Sequence, residues 1–148
     1  MSVARGGRLD AAIDRAMEAL NTSVDVDSAL WREDIAGSVA HARGLARAGV
    51  ISADEAEALV AGLGQVAAEI ERGEMVWDRA KEDVHMNIEA RLTAIVGSVG
   101  GKLHTARSRN DQIATDLRLY CRRRAQETLA ALDDLGFFFN DTATTEIY

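Results

Sequence analysis

The sequence has no proline, one cysteine and few aromatic residues. The shortages of aromatic residues and of cysteine each argue against a class of protein. Aromatic residues make up only 5% of the 148 residues, which disfavours a β-rich fold, because strands favour aromatic and β-branched side chains. With Cys121 as the only cysteine, no disulfide can form within the chain, as is usual in a reducing cytoplasm. We expect Cys121 to be a small apolar core residue on a helix.

Positive charge is also in short supply, since the formal net charge is −7. Nucleic acid is therefore disfavoured as a partner, because binding such a polyanion needs a broad basic face. No apolar run is long enough to cross a membrane, and the N-terminus lacks the apolar core of a signal peptide. We expect a cytoplasmic protein without nucleic-acid or membrane partners. Its hydrophobic content of 47% indicates a folded chain.

Apolar residues recur at helical spacing along most of the chain, which predicts an all-α fold. The third helix has the strongest signals, because Ser52 and Glu55 form a capping box and Gly73 follows the last apolar residue. Gly49 is expected to end the second helix as its left-handed C′ residue. The expected helices begin at Asp10, at Ser28, after Ser52, at Glu82 or Asp83, and at about Asp111.

Gly37 and Gly44 lie inside the second predicted helix. Each lowers helix propensity by roughly 1 kcal/mol relative to alanine. We expect both to allow the close approach of a neighbouring helix.

The helical pattern divides the chain into segments, the last of which differs from the rest. After Leu135 a glycine, three phenylalanines and a threonine-rich run show no helical stripe. This tail is similar to translated adapter read-through at the ends of assembled reading frames, and we expect it to be non-native. The segments are an arm (residues 1–9), a helical N-terminal domain (10–109), the first long helix of a central helix bundle, truncated (110–135), and the tail (136–148).

Residues 100–112 form a basic, glycine-led stretch on this acidic chain. We expect a loop that leads into a helix capped by Asn110 or Asp111. A helix N-terminus favours negative charge, and guanidinium groups grip carboxylates bidentately, so the stretch predicts a site for a small anion. A solvated basic turn is the alternative on residue types alone. The basic side chains are Lys102, His104, Arg107 and Arg109.

Other candidate motifs are weaker. Residues 97–102 fail as a phosphate-binding P-loop, because the glycine spacing is one residue short and Leu103 stands where serine or threonine is required. His85 and Glu89 could share a helix face as metal ligands, but two ligands make a weak site. We therefore expect a surface or second-shell histidine at His85, a hydrogen-bonded packing histidine at His41, and no metal.

Several sequence blocks occur in this order: GGR (6–8), NTS (21–23), DIAGS (34–38) with AHA (40–42), EDVHMNIE (82–89), and GKLHTARSRNDQ (101–112) followed by ATDLRLY (114–120). Taken together, these blocks resemble the argininosuccinate lyase family of the fumarase/aspartase superfamily. The resemblance runs from about residue 6 to residue 135 and covers the opening part of a longer family chain. Arg5 and Leu9 depart from the tryptophan and phenylalanine usual in the family.

This resemblance implies an all-α homotetramer whose active sites combine residues of several subunits. It implies cleavage of argininosuccinate into arginine and fumarate by β-elimination, in arginine biosynthesis, without a metal or organic cofactor. The substrate contacts that it implies are Ser23, Asp27, Arg109 and Asn110. The succinyl part of that substrate is a dicarboxylate, which Arg109 could clamp while Asn110 and helix N–H groups hold polar oxygens.

The family's threonine–histidine block and its serine loop, which move the proton, would lie beyond residue 148. We therefore expect no catalytic residue in this chain and no activity from the chain alone. Two alternatives stay open: another fumarate-releasing lyase of the superfamily, and a non-catalytic, crystallin-like structural protein. Retention of Ser23, Arg109 and Asn110 argues against the second, and the order of the blocks argues against an unrelated helical binding module.

Overall fold

The computed structural model describes residue 17 and residues 20–144, with side chains to residue 137. All regular structure in this part is helical, which confirms the all-α prediction. The arm over residues 1–9 and most of the helix expected from Asp10 lie outside the described residues. The helices are α1 (Val24–Asp27), α2 (Trp31–Arg47), α3 (Ala53–Glu71), α4 (Val84–Val96) and α5 (Arg109–Thr144), with 3-10 segments at Ser28–Leu30, Arg79–Lys81 and Gly97–His104.

Helices α2 and α3 begin and end where the local sequence predicts. Gly49 follows α2 with a φ of 69°, and Gly73 follows α3 with a φ of 70°, a left-handed conformation that favours glycine. The Ser52 hydroxyl accepts a hydrogen bond from the Glu55 N–H (3.1 Å), and the Glu55 carboxylate accepts one from the Ser52 N–H (3.0 Å). The predicted capping box is therefore confirmed.

Helix α4 begins with a side-chain cap. The Asp83 carboxylate accepts a hydrogen bond from the Met86 N–H (2.7 Å), as expected for an acidic residue at a helix start. The connector before α4 carries Trp77, which is half-buried against the apolar core. Asp83 therefore fixes the point at which the connector becomes a helix.

Aliphatic side chains of α2, α3 and α4 form the apolar core. Fully burying one such side chain contributes about 1.5–3 kcal/mol. At Gly62 of α3 an added Cβ would stand 2.6 Å from a Val96 side-chain carbon, so the glycine allows α3 and α4 to pack closely. The core residues include Leu45, Ala56, Leu59, Leu63, Val66, Val84, Ile88 and Leu92.

The start of α5 differs from the prediction. The helix begins at Arg109, so neither Asn110 nor Asp111 is its cap. Ser108 precedes the first helical residue, and its hydroxyl accepts a hydrogen bond from the Asn110 N–H (3.3 Å). Three good capping residues stand within four positions here, so residue type alone could not choose among them. The expected loop is largely a 3-10 helix, Gly97–His104.

Beyond its first turns, α5 leaves the other described helices. It continues through Gly136 to Thr144, so the missing apolar stripe after Leu135 does not end the helix. The division of the chain into segments, including a non-native tail, stays a prediction. Cys121 is exposed on α5, and its expected place in a core is wrong for the described structure, because that face of α5 has no helix packed on it.

The exposed part of α5 carries several large apolar side chains. No helix among the described residues is both long and apolar enough to cross a membrane. The exposed apolar residues of α5 are Ile113, Leu117, Leu119, Leu129, Leu132, Leu135 and Phe137.

Candidate functional site

Ser23 and Asp27, two of the predicted contacts, fasten α1 to the start of α4. The Ser23 hydroxyl donates a hydrogen bond to Asp27 Oδ2 (2.6 Å). Asp27 Oδ1 accepts a hydrogen bond from the Val84 N–H (3.0 Å), which is one of the free N–H groups at the start of α4. Ser23 is exposed and Asp27 is half-buried, so the pair lies at the surface of the helix junction.

Arg109, the third predicted contact, lies across the same helix start. Its Nη1 donates a hydrogen bond to Gln112 Oε1 (2.7 Å). Its Nη2 is 3.5 Å from Glu89 Oε2, and its Nε is 3.9 Å from Asp83 Oδ2. These contacts hold the half-buried guanidinium over α4, while Asn110 beside it is exposed.

The two predicted segments meet at adjacent residues of the chain. Asp27 contacts the N–H of Val84, and Arg109 lies near the carboxylate of Asp83. The structure therefore brings the early turn and the basic stretch, about 80 residues apart in sequence, to one end of α4. A carboxylate, a hydroxyl and a guanidinium border this junction.

Two other basic side chains of the stretch bond to partners different from those of Arg109. Lys102 pairs with Glu55 at the start of α3, and Arg107 Nη1 donates a hydrogen bond to the Ser38 hydroxyl (3.1 Å). The basic side chains therefore do not share one set of partners, although Arg107 lies close enough to Arg109 for their like charges to repel. The 3-10 helix and the turn after it rotate successive side chains to different neighbours, so Arg109 lies near Asp83 and Glu89 while Lys102 and Arg107 bond elsewhere.

A buried polar cluster lies behind this junction. Asp34, His85 and Asp116, from α2, α4 and α5, are each exposed by 2% or less. His85 Nδ1 donates a hydrogen bond to Asp34 Oδ1 (3.0 Å) and lies 3.5 Å from Asp116 Oδ2. Of the two positions expected for His85, a surface or a second shell, the surface is wrong, because the first turn of α4 is covered by both α2 and α5.

The three groups of this cluster influence one another's ionisation. Burial opposes the charge of Asp34, but the hydrogen bond and charge of His85 outweigh it and lower the pKa of that carboxyl. Burial also disfavours the imidazolium, but Asp34 raises the pKa of His85. Burial and then the charge of Asp34 raise the pKa of Asp116 to about 7. The cluster is therefore an ion pair beside a carboxyl that keeps its proton until near neutrality.

Three potential metal ligands occur in this cluster, since one ligand atom from each residue lies within 4.8 Å of the others. Two features oppose a metal ion. The Nδ1 proton of His85 would have to leave, and it already bonds to Asp34. The charge of Arg107 also acts on Asp34, which disfavours a further cation nearby. The donor set therefore fits an internal ion pair better than a metal site.

Gln112 connects the buried cluster to Arg109. It is only 5% exposed, and its Nε2 donates a hydrogen bond to Asp34 Oδ1. Its Oε1 accepts the hydrogen bond from Arg109 Nη1. Both ends of the amide are used, so an uninterrupted chain of hydrogen bonds runs from His85 through Asp34 and Gln112 to Arg109.

Close packing of α2 against α5 surrounds the cluster. An added Cβ at Gly37 would lie 3.3 Å from Asp116 Oδ1, which confirms the expected close approach at this glycine. Gly44 has no such neighbour within 4 Å, so the same expectation is wrong there, because the space beside that glycine is open. His41 donates a hydrogen bond from Nε2 to the Thr105 carbonyl (2.9 Å), as a packing histidine should.

Two non-glycine residues of the described chain have a positive φ, and both adjoin the site. Glu82 has a φ of 61° and Ala106 a φ of 54°. The Glu82 carbonyl accepts hydrogen bonds from the Ser23 and Val24 N–H groups (2.8 and 3.0 Å), which ties the early turn to the connector. Such conformations cost about 1–3 kcal/mol and persist where the surroundings enforce them, often at functional sites.

Sequence reasoning missed Asp34, Gln112 and Asp116, although a signal was present. Polar residues four positions apart occur on each of the three helices that form the cluster. Residues four apart share one face of a helix, and a polar pair on a face that is otherwise apolar marks a buried polar contact. The pairs are Asp34 with Ser38, His85 with Glu89, and Gln112 with Asp116.

Comparison with known proteins gives consistent matches. A family model described as Lyase matches residues 7–148. A protein of Maridesulfovibrio salexigens named argininosuccinate lyase is 55% identical over 130 residues, which cover 88% of this chain and 28% of that protein. A protein of the same name from Thermus thermophilus is 54% identical over 127 residues, covering 86% of this chain and 28% of the relative.

A third relative extends the match along the chain. The argininosuccinate lyase of Desulfatibacillum aliphaticivorans is 49% identical over 141 residues, covering 95% of this chain and 30% of the relative. The chain thus spans less than a third of the length of these curated relatives. Every helix that contributes to the site lies inside the matched region.

Proposed function

Because the chain belongs to the lyase family, whose model matches residues 7–148, we propose that it is the N-terminal part of an argininosuccinate lyase. The complete enzyme cleaves argininosuccinate into arginine and fumarate by β-elimination, in cytoplasmic arginine biosynthesis. The observation that carries this proposal is the 55% identity over 130 residues to a relative of that name. The junction at the start of α4 supports it, because its hydroxyl and guanidinium groups can donate hydrogen bonds to a substrate carboxylate.

In this proposal Ser23, Asp27, Arg109 and Asn110 bind the substrate, and Arg109 holds a substrate carboxylate. The carboxylates now nearest the Arg109 guanidinium are 3.5 and 3.9 Å away, longer than a good charge-assisted hydrogen bond of 2.7–2.9 Å. A substrate carboxylate could therefore accept from the Nη2 and Nε N–H groups without breaking a short ion pair. Asn110 is exposed beside it and has amide groups for a polar oxygen.

The remaining parts of the enzyme come from outside this chain. We place the acid–base residues that move the proton in later parts of the full-length protein, with no metal or organic cofactor. The exposed apolar residues of α5 support its assignment to a central helix bundle of a homotetramer, because such a surface is normally covered by a partner helix. The chain alone is then expected to bind substrate poorly and to release no fumarate.

A chimera tests this proposal. The segment of the Maridesulfovibrio salexigens relative that matches this chain is replaced by this chain's own residues, and fumarate release from argininosuccinate is followed by absorbance. We expect activity within about tenfold of the parent relative, since the site residues are retained. A chimera that folds and assembles but releases fumarate only from another substrate, or from none, would contradict the proposal.

A further inference from the structure

Gln112 is buried between the group proposed to bind substrate and the charged cluster behind it. We propose that Gln112 is a positioning residue, which fixes the orientation of Arg109 for the substrate carboxylate by linking it to Asp34. This inference rests on the proposed function, and it assigns a role to a side chain that does not itself border the junction. Its basis is the pair of hydrogen bonds at the two ends of one amide.

The chemistry of the neighbours selects one orientation of the amide. An ionised carboxylate only accepts hydrogen bonds, so Asp34 must face the NH₂ end of Gln112. A guanidinium only donates, so Arg109 must face the carbonyl end. A flipped amide would place NH₂ against guanidinium and carbonyl against carboxylate. Asp34 therefore presents the Gln112 oxygen to Arg109 in a fixed direction.

The anchor of this link is itself held in place. Asp34 is 1% exposed and accepts a hydrogen bond from His85, which stands on another helix. Gln112 and Arg109 are three residues apart on α5, so they share one face of that helix. The position of Arg109 over the start of α4 thus depends on all three helices. A guanidinium held this way loses less rotational freedom when a carboxylate binds.

Replacing Gln112 with methionine keeps its length but removes both hydrogen bonds. In the active chimera we expect Gln112→Met to raise the KM for argininosuccinate about tenfold, as one lost hydrogen bond to a charged group would. We expect kcat to change much less, because the proton-transfer groups lie elsewhere. The matched control is Gln65→Met, which removes a glutamine bonded to Glu69 on α3, away from Arg109. That variant is expected to leave KM unchanged.

The variant Gln112→Glu separates positioning from mere packing. Its carboxylate accepts from Arg109 but repels Asp34, whereas its protonated form donates to Asp34 and accepts from Arg109 as glutamine does. The ratio of the KM of Gln112→Glu to the KM of the parent chimera should therefore be high at alkaline pH and approach one as the pH falls. His85 and Asp116 titrate in both enzymes, and Asp83, Glu89, Arg107 and Arg109 also face the link, so the ratio at each pH isolates position 112.

The outcomes distinguish the two proposals. An active parent chimera in which Gln112→Met behaves like Gln65→Met would overturn the positioning role and leave the proposed function intact. A flat KM ratio across pH for Gln112→Glu would overturn it as well, even if Gln112→Met does not fold. A parent chimera that folds and has no argininosuccinate cleavage would instead refute the proposed function on which the role rests.

Discussion

Helices α3 and α4 pack through aliphatic side chains, whereas the start of α5 is held against α2 and α4 through buried polar groups. In the first region Leu59, Leu63 and Leu92 are fully buried without a polar atom. In the second, three ionisable side chains are equally buried: Asp34, His85 and Asp116. The carboxyl of Asp116 stays protonated up to a pH of about 7. The same degree of burial therefore serves two different kinds of contact.

The difference lies in direction and in response to conditions. Hydrophobic contacts depend on area and shape and change little with pH, while hydrogen-bonded charges need each partner in place. The apolar region explains why α2, α3 and α4 fold together. The polar region explains how Arg109, on the separate helix α5, is oriented at the start of α4. Each prediction below changes one region and compares the result with the other.

The largest effect is expected from a cavity in the apolar region. Leu63→Ala removes a side chain that is 0% exposed, and buried leucine-to-alanine changes cost about 3–5 kcal/mol. Urea unfolding followed by circular dichroism measures the change in the free energy of unfolding. The loss should be the same at acidic and neutral pH. A pH-dependent loss would show that the two regions are not separate.

A pH-dependent effect is expected from the polar region. Burial raises the pKa of Asp116 from 3.8 to about 7, so the native state binds this proton more tightly than the unfolded state does. Stability from this group is therefore full below the ordinary pKa and is lost as the pH rises through about 7. The raised pKa of His85 acts in the same direction. Across this pH range, the free energy of unfolding is expected to fall by about 2–4 kcal/mol because of Asp116.

The variant Asp116→Asn should remove most of this dependence. It keeps a neutral group of the same size, so its stability should exceed that of the parent at alkaline pH and vary less between acid and alkali. Asp111→Asn, at an exposed position on the same helix, is the matched control. Unfolding curves across pH measure both. If the slope of stability against pH were the same in Asp116→Asn as in the parent, the Asp116 carboxyl would not be the group that binds this proton.

A smaller effect is expected at the edge of the polar region. Glu33 is 5% exposed and accepts a hydrogen bond from Arg123 (2.6 Å), which fastens α5 to α2. Glu33→Gln should cost about 1 kcal/mol, because one partner is partly solvated. Glu127 bonds to the same arginine from the surface, where water screens the pair, so Glu127→Gln should cost less than Glu33→Gln. Thermal unfolding measures both costs. Equal costs for the two variants would contradict the claim that Glu33 fastens α5 to α2.

The apolar region could be predicted from the sequence because its signals are local. The apolar stripe of α3, the capping box at Ser52 and Glu55, and the glycine after each helix lie within a few residues of what they determine. The start of α5 was misplaced for the same reason, because Ser108, Asn110 and Asp111 are all suitable caps. Local chemistry allowed each of them, so local signals alone could not decide.

The polar region could be predicted only in part. The resemblance pointed to Arg109 and Asp27, and the structure places both at the start of α4. The cluster behind them depends on partners far apart in sequence: 51 residues separate His85 from Asp34, and 78 separate Gln112 from Asp34. Helical spacing shows that such polar residues share a face, but it does not show which helix they meet.

The binding role of Arg109 is the central claim, and the KM of an Arg109 variant tests it most directly. In the active chimera Arg109→Ala should raise the KM for argininosuccinate about 100-fold, as the loss of a bidentate charge-assisted contact of about 3 kcal/mol would. The control Arg124→Ala removes an exposed arginine that pairs with Glu127 on the same helix, and it should leave KM unchanged. A KM for Arg109→Ala equal to that of the control would contradict the account.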